Sequence, residues 1–115
     1  MKKKPAYVPE RGDIVWVNFT PQAGHEQAGQ RPALVLSPVQ YNARTGLMLC
    51  CPITSQIKDY PFEVAVGDQQ NVHGVILADQ VKRVDWITRK AQKKGAAAGQ
   101  VVSDTLAKIH ALLQF

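Results

Sequence analysis

Apolar positions along the chain fall into short blocks, and their spacing changes once. Asp13 to Phe19, DIVWVNF, is rich in β-branched and aromatic residues and predicts a strand. Pro32 to Ser37, PALVLS, is a continuous apolar run bounded by Pro32 and Pro38, the pattern of a short buried strand. PVQYNARTG predicts a short helical turn ended by Gly46. Leu47 to Thr54, LMLCCPIT, predicts a third strand, in which Pro52 has no N–H for a ladder and marks an edge or bulge near the end. Phe62 to Val66 alternates and predicts a fourth, and Val75–Leu77 and Val81–Val84 add two more. Then the period lengthens. Val102, Leu106, Ile109 and Leu113 recur every three or four residues, with Val101 and Leu112 widening the stripe, which predicts a helix from about Gly99 to Leu113. Five to seven short strands followed by one amphipathic helix imply a mainly β fold. The expectation is a small, strongly bent antiparallel sheet, closed or half-closed into a barrel, with the C-terminal helix packed on it by its apolar stripe.

The length of 115 residues suits a single domain over 1–115. A 45% hydrophobic and 20% charged composition excludes intrinsic disorder as the overall state. No apolar run approaches the length of a membrane span. The start, MKKKPAYVPERGD, is basic but lacks the apolar stretch of a secretory signal. Pro5 and Pro9 predict a flexible basic tail over residues 1–9. Fourteen Lys and Arg against nine Asp and Glu give a net charge of +5, which favours a polyanionic ligand. The two cysteines, Cys50 and Cys51, are neighbours on a strand and point to opposite faces, so they cannot share a metal and read as small buried hydrophobes. Without a disulfide framework or a signal, the expected compartment is the cytoplasm. His25, His73 and His110 are scattered without ligand spacing, and no metal site or cofactor is expected.

Three stretches carry candidate chemistry. Gly24 to Pro32, GHEQAGQRP, sets an imidazole, a carboxylate, amides and a guanidinium in a glycine-flanked loop between two apolar strands. Residues 20–30 equally suit an ordinary polar hairpin loop, although Arg31, at the mouth of a buried strand, is positioned to be directed. Thr54 and Ser55 end the third strand, where hydroxyls bond either a phosphate or the local backbone. Residues 82–94 hold six of the fourteen cations with Trp86 among them. That pattern matches a track for single-stranded nucleic acid, or a solvated face with Trp86 in the core.

The loop GHEQAGQRPALVLSP, preceded by ERGDIVWVNFTP and followed by YNARTG, CCPITS, YPFEV and ADQVKRVDW, resembles the MazF/PemK (Kid, ChpB) family of toxin ribonucleases over about residues 9–90. The resemblance implies an SH3-like barrel with a C-terminal helix, a homodimer, metal-free cleavage of single-stranded RNA including messenger RNA at short sequences, and inhibition by a cognate acidic antitoxin. It assigns the loop glutamate to Glu26, the arginine before the proline to Arg31 and the threonine after the third strand to Thr54, all catalytic. Lys82 and Arg89 become RNA-binding residues, joined by Gln80 of ADQVKRVDW and by Ser55. His25 precedes the loop glutamate, where the family varies, and is left a minor role. The chain departs from the family in its lysine tail, over Gly67 to His73, and in the C-terminal helix.

Such a reaction uses the substrate's 2′-hydroxyl as nucleophile and leaves a 2′,3′-cyclic phosphate and a 5′-hydroxyl. The protein supplies a base, an acid and charge stabilisation. Arg31 suits phosphate by its bidentate fork, and Thr54 adds a hydroxyl donor. Glu26 either takes the 2′-OH proton or orients Arg31. The competing class is a non-catalytic nucleic-acid-binding barrel, since fold alone does not fix activity.

Overall fold

The computed structural model describes residues 7–19, 30–67 and 72–114. The elements in chain order are β1 (Asp13–Asn18), β2 (Gln30–Val35), α1 (Val39–Thr45), β3 (Leu47–Thr54), β4 (Glu63–Ala65), β5 (Val75–Leu77), β6 (Lys82–Asp85), β7 (Gln92–Ala96) and α2 (Gly99–Leu113). All seven strands pair antiparallel, in the order β4-β5-β3-β2-β1-β7, with β6 also on β3. The fold is thus mainly antiparallel β with a C-terminal helix, as the patterning predicts, and the sheet ends β4 and β7 do not pair with each other among the described residues.

β3 is the branch point. One edge meets β2; the other meets β6 from Leu47 to Cys50 and then β5 at Ile53 and Thr54. Pro52 lies at this change of partner. It does not end the strand, because its missing N–H falls where the ladder passes from β6 to β5.

Alternation along the strands separates two cores. Ile14, Leu34, Cys51, Ile53 and Ile76 face one side with Val64, Val66 and Val72. Val15, Val17, Ala33, Val35, Met48 and Cys50 face the other with Val84 and Trp86. Cys50 and Cys51 are free, buried and in different cores. Burial pushes both thiols up to about 12.

Helix α2 covers the first core by Val101, Val102 and Ile109. Fully buried Thr105 lies between them and returns its hydroxyl to the Val101 carbonyl at 2.8 Å. The predicted stripe is therefore rotated: Leu106, Leu112 and Leu113 are exposed.

A polar hub sits at α1. The buried Asn42 side chain donates to the Pro9 carbonyl at 2.8 Å and accepts from the Ser37 hydroxyl at 2.6 Å. Trp86 Nε1 donates to the Asn42 carbonyl at 2.9 Å. This hub anchors the end of the expected tail. Pro9 is fully buried, Tyr7 and Val8 pack on the second core, and the Tyr7 hydroxyl donates to Asp13. A loose tail through residue 9 therefore does not describe residues 7–9.

Strand β7 has no apolar alternation and was not foreseen. It is QKKGA, held by its ladder to β1 and by an ion pair between Lys93 and Asp13 at 3.5 Å. Its exposed lysines suit an edge strand, where charge discourages further pairing.

Gly74 makes the tightest backbone approach. It has φ +123°, and a Cβ there would overlap the Thr54 carbonyl. Gly74→Ala should cost about 2–4 kcal/mol, from strain at positive φ plus overpacking, seen as a Tm lower by at least about 8 °C. A melting curve within 2 °C of wild type, on the order of a fraction of 1 kcal/mol, would contradict this packing.

The thiols give a second prediction. At pH 8 neither cysteine should react with iodoacetamide in the native protein, and both should react in denaturant. Each folded-state value lies above the ordinary 9.0, so the thiols' contribution is intact below pH 9.0 and stability is lost progressively from there to about pH 12. Stability that rose with pH across that window would refute the burial.

Candidate active site

The site starts from strand register. β2 and β3 pair from Val35 opposite Cys50 to Ala33 opposite Pro52; just beyond the end of that ladder, Arg31 and Thr54 line one cleft. On its other edge Thr54 pairs with Val75 of β5. Beyond that pair lie Gly74, pressed on the Thr54–Ser55 backbone, and His73. A cleft of about 370 Å³ opens here. Buried Ile53 and Val72, with half-buried Trp16 and Pro32, supply its apolar surface; Arg31, Thr54, Ser55 and His73 supply its polar groups.

Thr54 also borders a second cleft, of about 390 Å³, shared with Tyr60, Asp79 and Gln80. The Thr54 hydroxyl accepts the Gln56 N–H at 3.1 Å. This local turn bond fixes the oxygen and leaves the O–H to donate, so the backbone-capping and phosphate-binding readings are compatible. In the second cleft the Tyr60 hydroxyl donates to Asp79 Oδ2 at 2.9 Å, which raises the phenol's pKa. Glu63 accepts the backbone N–H groups of Lys58 at 3.0 Å and Tyr60 at 3.3 Å, shaping the segment that holds the ring.

Of the residues singled out in the sequence, Arg31, Thr54 and Ser55 meet in the first cleft, and Thr54 and Gln80 in the second. Glu26 and His25 lie outside the described residues. Lys82 is exposed on β6, opposite Cys50, and lines neither cleft. Arg89 is half-buried, and its Nη1 donates to the carbonyls of Asn18 at 3.1 Å and Phe19 at 2.9 Å. It therefore braces the end of β1, beside the start of β2.

The basic run 82–94 is not one track. Lys82 and Arg83 ride on β6 against β3, whereas Lys93 and Lys94 ride on β7 against β1, with β2 between. The turn between them is set by Asp85, which accepts from Thr88 and Ile87 N–H and the Thr88 hydroxyl. Those bonds, led by the Thr88 N–H, lower its pKa. Trp86 is buried in the second core, so it offers no face to a base.

The accessible aromatic surface is instead Trp16, in the first cleft, and Tyr60, in the second. The alternation of DIVWVNF carried a signal for Trp16, since Val15 and Val17 take the buried face. Nothing local marks Tyr60 and Asp79, which are 19 residues apart and meet only through the fold. His73 and Gly74 gain meaning only from the pairing of β5 with β3.

The chain matches known proteins along nearly its whole length. The family model described as "PemK-like, MazF-like toxin of type II toxin-antitoxin system" matches residues 10–114. The endoribonuclease toxin MazF of Escherichia coli (strain K12) is 52% identical over 107 residues, covering 93% of this chain and 96% of that protein. The endoribonuclease toxin ChpB of the same organism is 42% identical, covering 99% and 100%. Among solved structures, a MazE–MazF crystal structure from Deinococcus radiodurans superposes with a TM-score of 0.89 at 51% identity, covering 95% of this chain and 98% of that one. The chain belongs to the PemK-like, MazF-like family of type II toxin–antitoxin toxins.

Proposed function

We infer that this protein is an endoribonuclease toxin that cleaves single-stranded RNA, messenger RNA included, within the paired clefts around Thr54. The observation that carries the reading is that Arg31 and Thr54 line one cleft, in a chain 52% identical to an endoribonuclease toxin.

The chemistry follows from the residues. The 2′-hydroxyl attacks the adjacent phosphorus, the bond to the 5′-oxygen breaks, and a 2′,3′-cyclic phosphate and a 5′-hydroxyl result. The nucleophile belongs to the substrate, so no metal is required to generate it. Arg31 grips two non-bridging oxygens by its fork, and the Thr54 O–H donates to the same developing charge. Glu26 takes the 2′-OH proton or orients Arg31. DNA lacks the nucleophile and is not cut. Ser55 and Gln80, one in each cleft, bind the flanking nucleotides, while Lys82 and the outer edge of Arg89 add attraction for the backbone.

Neighbouring structures from Deinococcus radiodurans are MazE–MazF complexes, which supports a cognate antitoxin here too. An acidic segment competing for the RNA cations suits the +5 charge. A homodimer is part of the same reading. No helix among the described residues is long and apolar enough to cross a membrane, and two buried free thiols fit a reducing cytoplasm.

The purified protein should cut single-stranded RNA in excess EDTA and leave a 5′-hydroxyl that polynucleotide kinase labels without prior phosphatase. Strict dependence on added Mg²⁺ would sink the mechanism. Separately, Arg31→Ala and Thr54→Ala should each lower single-turnover cleavage by about 100-fold or more, while RNA affinity changes little. Lys82→Ala should do the reverse, weakening binding and flattening its salt dependence. Near-normal turnover by Arg31→Ala at saturating RNA would refute its assignment.

A further inference from the structure

We propose that His73 is the general acid that protonates the leaving 5′-oxygen; this rests on the ribonuclease reading above. The first cleft holds Arg31 and Thr54 for the phosphoryl oxygens, but neither is suited to release a proton near neutral pH. A guanidinium keeps its proton, and an aliphatic hydroxyl is a far weaker acid than water-bound ions or imidazolium. A glutamate such as Glu26 is a carboxylate type, fitted to accept a proton. The role left vacant is the acid, and imidazole is the side chain that ordinarily changes charge between pH 5 and 8.

Position argues for His73. It lines the same cleft as Arg31, Thr54 and Ser55 and is exposed to an incoming substrate. Its backbone is held on both sides. Val72 is buried in the first core. Gly74 is pressed on the Thr54 carbonyl, and its own carbonyl accepts the Val66 N–H at 3.0 Å. The residue next to His73 is thus locked to the residue that meets the phosphate, which is how a proton donor is kept at fixed reach. Arg31 is the charged side chain lining this cleft with it.

The step balances. The 2′-oxygen bonds to phosphorus as its proton passes to the base. The P–O5′ bond breaks with its electron pair on O5′, which takes the proton from His73. Water returns a proton to the imidazole and removes one from the base, so the net change is transesterification.

The test uses one RNA cut by the wild-type protein, made with the natural 5′-oxygen at the scissile bond or with sulfur in its place. A thiolate departs without protonation. His73→Gln and His73→Asn should each slow single-turnover cleavage of the natural RNA by about 100-fold or more, and of the sulfur RNA by no more than a few fold. Their melting temperatures and RNA affinity should match wild type. Unimpaired cleavage of the natural RNA, or equal slowing on both RNAs by variants that melt like wild type, overturns the His73 assignment alone. If no single-stranded RNA of mixed sequence is cut by the wild-type protein, so that no such substrate can be chosen, the ribonuclease reading itself is overturned.

Discussion

Strand β3 must satisfy three partners, and the site exists because it does. Along one edge it is committed to β2; along the other it hands over from β6 to β5 around Pro52. A single-residue slip against β2 would transfer Cys50 and Cys51 to the wrong cores and carry Thr54 away from Arg31. The pressure that fixes the hydrophobic cores therefore also fixes the pair proposed to be catalytic. Gly74 tightens the same arrangement on the β5 side, because only a residue without a Cβ lets β5 approach the Thr54 carbonyl. Both clefts open at the end of β3, and each takes walls from strands or loops whose place β3 determines.

The second structural investment is the buried polar hub at Asn42. It links the segment before β1, the end of β2, the start of β3 and Trp86 through bonds of 2.6 to 2.9 Å. Buried amide and hydroxyl groups are costly without partners, and here each is satisfied, so the network specifies one geometry for α1. Its consequence for function is subtractive. Trp86, the aromatic set among lysines and arginines, is spent on this hub and on the second core. The clefts offer a base Tyr60 and Trp16 instead, the latter on a strand whose neighbouring valines are fully buried.

Much of this was legible in the chain, and the reasons for the rest are specific. Strands β3 and β5 and helix α2 stand where their apolar spacing placed them, because burial enforces the period. β7 was invisible: QKKGA has no alternating apolar face, and its place comes from backbone pairing to β1. The stripe on α2 was read one step off, since buried Thr105 satisfies its hydroxyl on Val101 and takes a position that composition would give to leucine. In the site, the convergence of Arg31 and Thr54 required pairing β2 with β3, which motif resemblance supplied and spacing did not. Tyr60 meets Asp79 in one cleft, and His73 joins Arg31 and Thr54 in the other, only through contacts between distant segments, and no local pattern encodes those.

Charge, finally, is distributed for use and not for stability. Among the described residues the ion pair joins Lys93 to Asp13, on the β1–β7 edge away from the clefts. Arg89 is bonded to carbonyls and Arg11 donates to the Leu36 carbonyl at 2.6 Å, so these two cations brace backbone. Arg31 and Lys82 are exposed. Surface ion pairs contribute little to stability, so the fold itself asks for no carboxylate beside such exposed cations. Arg31 lies against the apolar walls of the first cleft, where screening by water is reduced, so it favours a polyanion that fits there. An RNA backbone and an acidic inhibitory segment would each meet that preference, so on the reading proposed above substrate capture and inhibition draw on the same charge.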